Sequence, residues 1–208
     1  MITIVDYDRG NLFSLGQAVR YVGGQFEITG NPDRVAGADK IILPGVGAFG
    51  DGMARIRAKG LLEAIRSANN RGRPILGICL GMQMLADTSE EFGEQEGIGL
   101  IPGKVQRLPT EVKDAPGSYR IPNVGWWALN PTARAKDEFA SCKMMYFLHS
   151  YVVTPKNDDD ITATINFNGQ NVAVAIRSGS IVGYQFHPEK SGGSGLSLIR
   201  SFVEDRFG

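Results

Sequence analysis

Apolar positions in the first half of the chain form short solid runs, separated by stretches with helical spacing. Ile2-Thr3-Ile4-Val5, Phe26-Glu27-Ile28-Thr29, residues 40–43 and residues 75–78 each read as strands. Leu12, Leu15, Val19 and Val22 recur at helical spacing behind Asn11, which can cap a helix running to about Val22. Asn31-Pro32-Asp33 predicts a brief helical turn, and helices are expected over 50–59 and 61–70. Residues 82–86 read as the first turns of another. Strands alternating with helices at this spacing predict βαβ units and a mainly parallel sheet.

The pattern changes in the second half. Residues 97–119 are rich in Gly, Pro and short apolar runs. Residues 145–148, 151–154, 161–167, 172–177 and 181–186 all read as strands. Asn168-Gly169 is a strong hairpin signal and Ser178-Gly179 is another. An antiparallel portion is therefore expected beside the parallel sheet. A helix over 195–207, apolar at Leu196, Ile199, Phe202 and Val203, closes the chain. Asn157-Asp158-Asp159-Asp160 reads as a solvated turn, because it lacks the Gly and distal Glu of a calcium loop. The expected fold is α/β: an open, mainly parallel central sheet flanked by helices, flavodoxin-like in three layers. Residues 1–208 are read as one domain.

Composition narrows the partners more than the fold. Lys and Arg (22) balance Asp and Glu (22), so the formal net charge is zero and no electrostatic case exists for nucleic acid or an anionic membrane. No apolar run approaches the ~18 residues of a membrane helix, and the opening strand carries no basic leader pattern, so a cytoplasmic location is expected. Two cysteines, Cys79 and Cys142, are too few for a disulfide framework, and no Cys/His cluster has zinc spacing. No metal or other cofactor is expected. With two histidines, His149 and His187, any Cys–His chemistry must use one of them.

Gly77-Ile78-Cys79-Leu80-Gly81 follows an apolar strand and precedes a helical run. Such a Gly-x-Cys-x-Gly stretch is the sulfur counterpart of a nucleophile elbow, its glycines allowing a turn tight enough to hold the Cys at its tip. A helix beginning there would favour a thiolate. A small buried apolar Cys79 fits the same stretch. Gln185-Phe186-His187-Pro188-Glu189 lies at a strand end, where residues two apart share a face, so Glu189 could orient His187. A surface histidine and a helix-capping Glu189 fit as well. Pro44-Gly45-Val46-Gly47 ends another strand, and its backbone, with the N–H of Leu80, could form an oxyanion hole. An ordinary strand-to-helix turn is the alternative. Both loops fall at C-terminal ends of parallel strands, where open α/β sheets place ligands.

Together, Pro44-Gly45-Val46-Gly47, the 77–83 run and His187-Pro188-Glu189 closely resemble the triad-type (class I) glutamine amidotransferases. Asp6-Tyr7, Gly10-Asn11-Leu12, the run 146–151 and Phe186 to Ser191 are similar to the amidotransferase subunits of imidazole glycerol phosphate synthases. The resemblance spans the chain. It implies that Cys79 attacks the side-chain amide of L-glutamine, His187 moves the proton and Glu189 orients His187. It implies an oxyanion hole of Val46, Gly47 and Leu80, and a glutamine site of Gly45, Gly47, Gln83, Glu91, His149 and Ser150. It further implies a heterodimer with a (β/α)₈ cyclase subunit. Ammonia would pass through that barrel to a phosphoribulosyl-formimino carboxamide nucleotide, giving imidazole glycerol phosphate and an aminoimidazole carboxamide ribotide. Asn11, Ser14, Trp126 and Lys190 match positions facing that partner.

The subfamily pattern Pro-His-Met-Gly-Trp-Asn is here Pro122-Asn123-Val124-Gly125-Trp126-Trp127. The departures at Asn123 and Trp127 fit either drift or a paralogue feeding ammonia to a surface-polysaccharide sugar amidination synthase. A stand-alone Cys hydrolase of the α/β class would have a similar elbow without needing Gln83. A non-enzymatic docking module would not need Cys79, His187 and Glu189 together.

Overall fold

The computed structural model describes residues 1–110 and 120–206. Residues 111–119 of the Gly- and Pro-rich segment, and the predicted helix end at Phe207, lie outside the described residues. The first half runs β1 (Ile2–Val5), α1 (Leu12–Tyr21), β2 (Phe26–Thr29), α2 (Pro32–Ala36), β3 (Lys40–Leu43), α3 (Phe49–Ala58), α4 (Leu61–Asn70), β4 (Ile75–Ile78) and α5 (Leu80–Met84). There follow β5 (Ala86–Ser89), β6 (Gln95–Glu96), β7 (Ile101–Arg107), β8 (Asn123–Trp127) and β9 (Asn130–Pro131). The chain then runs through β10 (Met145–His149), β11 (Tyr151–Pro155), β12 (Ile161–Phe167), β13 (Gln170–Ser178), β14 (Ile181–Tyr184) and α6 (Gly192–Val203).

The central sheet has the order β2-β1-β3-β4-β14-β13-β12-β9. Its first five strands are parallel, and the order 2-1-3-4 completed by a fifth parallel strand is the flavodoxin-like arrangement. Burial explains the solid apolar runs: β1, β4 and β14 are covered on both faces, so no polar alternation is needed. Helices on the two sides close two apolar clusters, one around Leu15, Val19, Phe186 and Phe202, the other around Phe49, Met53, Ile65 and Leu80.

Four expectations are corrected. Residues 181–186 are only half antiparallel: β14 pairs antiparallel with β13 on one side and lies parallel against β4 on the other, joining the two parts of the sheet. The helix after the elbow is a single turn over Leu80–Met84, and Ala86 already begins β5, because Ile98 and Leu100 reach back to the carbonyls of Met84 and Leu85. Its dipole is correspondingly small. Helix α6 starts three residues earlier than expected and stops at Val203. The antiparallel part is also larger than the sequence suggested. Besides β13, β12 and β9 it includes an antiparallel ribbon of β10 and β8 and the antiparallel pairs β11–β7 and β5–β6 of a four-stranded sheet β11-β7-β5-β6, whose middle pair β7–β5 is parallel.

Candidate active site

The site grows from strands that end level with one another. Leu43 of β3 lies opposite Gly77 of β4, and Ile78 opposite Tyr184 of β14. The loops after these three strands therefore meet, carrying Gly45–Gly47, Cys79 and His187. The elbow is tight. Cys79 has φ 54° and ψ −113°, a backbone region costly for a side chain. Its N–H donates to Tyr184 O at 2.7 Å. Gly81 packs so closely on β3 that a Cβ there would sit 1.8 Å from Leu43 O, which only glycine permits. Gly45 is similarly enclosed, its missing Cβ pointing at Tyr7 Oη and Leu80. Tyr7 donates its hydroxyl to Pro44 O at 2.8 Å and pins the loop from below. Burial, then the charge of Cys79, drives its phenol far above its ordinary value.

His187 and Glu189 meet, though not by strand alternation. β14 ends at Tyr184, and Glu189 lies in a 3₁₀ turn over Pro188–Lys190. His187 Nδ1 and Glu189 Oε1 are 2.9 Å apart, with both side chains almost fully buried. Ser191 Oγ donates to His187 O, and His187 N–H to Tyr146 O, fixing the turn. With Nδ1 engaged by the carboxylate, Nε2 is left for Cys79. Burial opposes charging of His187, but hydrogen bonds to Cys79 and Glu189 outweigh it and raise its pKa to about 10. Glu189 Oε2 is buried without a hydrogen-bond partner among the described residues.

A cavity of about 220 Å³ opens above Cys79. Val46, Gly47, Leu80, Gln83, Glu91, His149, Ser150 and His187 line it, together with Pro122, Leu148 and Tyr151, which the sequence did not single out. Gly45 is the exception among the expected glutamine-site residues: it is buried behind the wall, where packing excludes any side chain. Two lining residues also serve structural duties. Glu91 Oε2 accepts from Phe49 N–H at 2.6 Å, satisfying the first turn of α3, whose preceding Ala48 offers no side-chain cap. Gln83 Nε2 donates to Tyr151 O at 3.0 Å and to Gln185 Oε1 at 2.9 Å. Gln185, fully buried, turns its own amide towards Cys79 Sγ at 3.7 Å. Its signal was a polar residue inside the otherwise apolar 181–186 run.

His149 occupies the opposite wall. Its Nδ1 is 2.8 Å from Tyr151 O and its Nε2 is 3.0 Å from Asn123 Nδ2. Burial lowers its pKa to about 4 against the opposing hydrogen bond to Tyr151, and the charge of His187 lowers it further. A neutral His149 therefore faces a protonated His187. Asn123 Oδ1 in turn accepts from Trp127 Nε1 at 2.8 Å. Both departures from the subfamily pattern thus turn inward, since β8 alternates with Asn123 buried and Val124 and Trp126 exposed.

The expected partner-facing residues lie on α1 and its cap (Asn11, Ser14), on β8 (Trp126) and on the 3₁₀ turn after His187 (Lys190). Asn11 is exposed but spends its side chain capping α1 at Ser14 N–H. Ser14 is half-buried, and Lys190 is exposed beside the His187 turn. Trp126 is 52% exposed, edge-on to Tyr146, and Phe13 (75%), Val124 and Leu148 are further exposed apolar groups. A roomier cavity of about 680 Å³, lined by Arg134, Arg177, Glu138 and Arg200 among others, lies elsewhere and has no cysteine or histidine in its walls. Cys142 does not line the cavity that holds both histidines, and burial pushes its thiol up. Among the described residues no group of three His, Cys, Asp or Glu could hold a metal, and no helix is long and apolar enough to cross a membrane.

A thiol and an imidazole lining one small cavity, with a buried carboxylate bonded to the imidazole from behind, all on loops after neighbouring parallel strands, form a nucleophilic constellation. The model of the glutamine amidotransferase class-I family matches residues 3–205. The chain belongs to the class I glutamine amidotransferases. Among similar amidotransferases is imidazole glycerol phosphate synthase subunit HisH of Moorella thermoacetica, 42% identical over 206 residues, covering 98% of this chain and 94% of that protein. The subunit of the same name from Sulfurimonas denitrificans is 42% identical over 211 residues, with 99% of each chain covered. In fold, the amidotransferase resembles PurLQS from Thermotoga maritima with a TM-score of 0.74 at 20% identity, covering all of this chain and 98% of that one.

Proposed function

We propose that this chain is the glutaminase subunit of an imidazole glycerol phosphate synthase, acting in histidine biosynthesis. It hydrolyses L-glutamine to L-glutamate and ammonia. The observation that carries the site assignment is the cavity that Cys79 and His187 share, with Glu189 buried behind against His187, and small enough for an amino acid rather than a drug-sized ligand. Residues 1–208 act as one glutaminase domain in the cytoplasm.

In this reading the proton of Cys79 already rests on His187 Nε2, and the sulfur so freed attacks the side-chain carbonyl carbon of glutamine. The tetrahedral oxyanion is held by backbone N–H groups of Leu80 and the Val46-Gly47 loop. Collapse breaks the carbon–nitrogen bond, His187 returns its proton to nitrogen, and ammonia leaves a glutamyl thioester. Water, deprotonated by His187, cleaves the thioester to glutamate. Glu189 holds the imidazole orientation throughout. Gln83, Glu91, His149 and Ser150 shape the glutamine site.

The ammonia acceptor is a (β/α)₈ cyclase subunit docked over Asn11, Ser14, Trp126 and Lys190. The exposed apolar groups on α1, β8 and β10 support this placement, because an aromatic anchor with apolar neighbours is what interfaces use. Asn123 and Trp127 bond each other inside the molecule, so they leave the outward surface unaltered and give no reason to prefer a sugar amidination partner. The test is glutamate release with the cyclase present, and labelling of Cys79 by a glutamine-analogue electrophile. Turnover surviving Cys79→Ser, or no labelling, would overturn the assignment.

A further inference from the structure

The hydrogen bonds around His149 form a chain with two ends that cannot reverse. At one end the indole of Trp127 is a donor only, and at the other the carbonyl of Tyr151 is an acceptor only. Trp127 Nε1–H must donate, so the oxygen of Asn123 faces it and the Asn123 amide N–H₂ faces His149 Nε2. Tyr151 O must accept, so the single ring proton of His149 sits on Nδ1. The Tyr151 end requires a proton on Nδ1 and the Asn123 end a lone pair at Nε2, and only the neutral Nδ1–H imidazole satisfies both. A protonated Nε2 would oppose its N–H to that of Asn123. The indole is also held mechanically, its ring tilted at 48° against Phe167 with centroids 5.8 Å apart.

We infer that Trp127 and Asn123 are positioning residues that lock His149 as the neutral Nδ1–H tautomer, so that His187 is the one imidazole in the cavity free to carry a positive charge. The inference rests on the assignment of His187 as proton carrier. Neither Asn123 nor Trp127 lines the cavity; both act through His149. The titratable groups about His149 are His187, Cys79, Glu91 and Tyr151, which line the same cavity, while the β8 groups packed against it are not titratable. A second cation on that wall would disfavour the protonated state of His187 on which thiolate formation depends. The lock thus protects the acid side of the reaction.

The chain's two histidines make nitrogen NMR of the imidazoles a direct test on the full-length protein, with His149→Gln assigning the signals. The parent should show His149 neutral and protonated at Nδ1 from pH 5 to 8. Trp127→Phe keeps the ring packing and removes the N–H, freeing Asn123 to rotate its oxygen towards His149. Its titration should move up by about one pH unit, the size of shift a changed hydrogen bond commonly gives. Asn123→Asp places an acceptor against Nε2 permanently and should produce the larger rise. In the complex with the cyclase subunit, the acid limb of kcat/KM for glutamine should move up in the same order. An unchanged His149 titration in either folded variant overturns the inference, as does a shifted titration with an unmoved acid limb. Failure of the glutaminase assignment would instead appear as turnover surviving Cys79→Ser, with the His149 titration unaffected.

Discussion

The two walls of the cavity hold the same side chain in opposite states. His187 sits almost fully buried against a carboxylate and a thiol and keeps its proton to about pH 10. His149 is as deeply buried, against an amide and a backbone carbonyl, and stays neutral down to about pH 4. Burial pushes both the same way, towards the uncharged form. What separates them is the partner: negative groups repay the cost of charge on one wall, and neutral dipoles do not on the other. Such a split between like groups is how an environment assigns acid–base roles.

The strongest way to break the contrast is to remove the sulfur. Cys79→Ser should lower glutamate release by roughly 10⁴-fold or more, measured with the partner present. Next comes the scaffold of the charged wall. Gly81→Ala drives a Cβ into Leu43 O and should cost more than about 4 kcal/mol, read as a collapse of the urea midpoint. An unchanged midpoint would mean that β3 and the elbow can part. Then the pair itself: His187→Ala strands the buried Glu189 carboxylate, already lacking a partner on Oε2, at a cost of about 3–5 kcal/mol. Adding Glu189→Gln to that variant should recover part of the loss; no recovery would argue that the carboxylate is not charged alone.

The pH dependence of stability sharpens the contrast more gently, because the two walls predict opposite limbs. The raised pKa of His187 contributes stability fully present below about 6.5 and lost as pH rises through about 10. For His149 the folded value is depressed, so the unfolded chain binds the extra proton. Its contribution is full above about 6.5 and falls away as pH drops towards 4. Urea midpoints across that range should fall at both ends, and His149→Gln should shrink the acid decline alone. The smallest effect is at the surface proposed for the partner. Trp126→Ala should weaken cyclase binding by about 1–2 kcal/mol while leaving the urea midpoint nearly unmoved, since the ring is half exposed and meets Tyr146 edge-on.

Much of this was legible in the chain because local rules and tertiary structure agree there. The parallel strands are short apolar runs whose ends carry the Gly45, Cys79 and His187 loops, so pattern and chemistry coincide. Glycines at 77 and 81 announced the elbow for a physical reason: backbone and side-chain contacts leave no room for a Cβ. Other features depend on contacts that no local pattern encodes. β14 forms the antiparallel hairpin with β13 that its turn announces, but its parallel pairing with β4, some hundred residues earlier, leaves no local trace. His187 and Glu189 appear paired by strand alternation, yet a 3₁₀ turn brings them together. The inward roles of Asn123 and Trp127 follow from β8 pairing with β10 across a register invisible in sequence. Gln185 and Tyr7 matter only because other loops fold over them.

The contact between Gly81 and the carbonyl of Leu43 has a consequence for redesign. With backbone pressed on backbone there is no slack between the nucleophile's turn and the strand leading to the Val46-Gly47 loop. A shorter side chain at position 79 could not be compensated by letting the turn slide forward. Serine in place of Cys79 would thus leave its oxygen short of the reacting carbon as well as less nucleophilic. Converting this amidotransferase to a hydroxyl nucleophile would require rebuilding two loops at once, and a library that varies one of them alone is searching a space the scaffold has already closed.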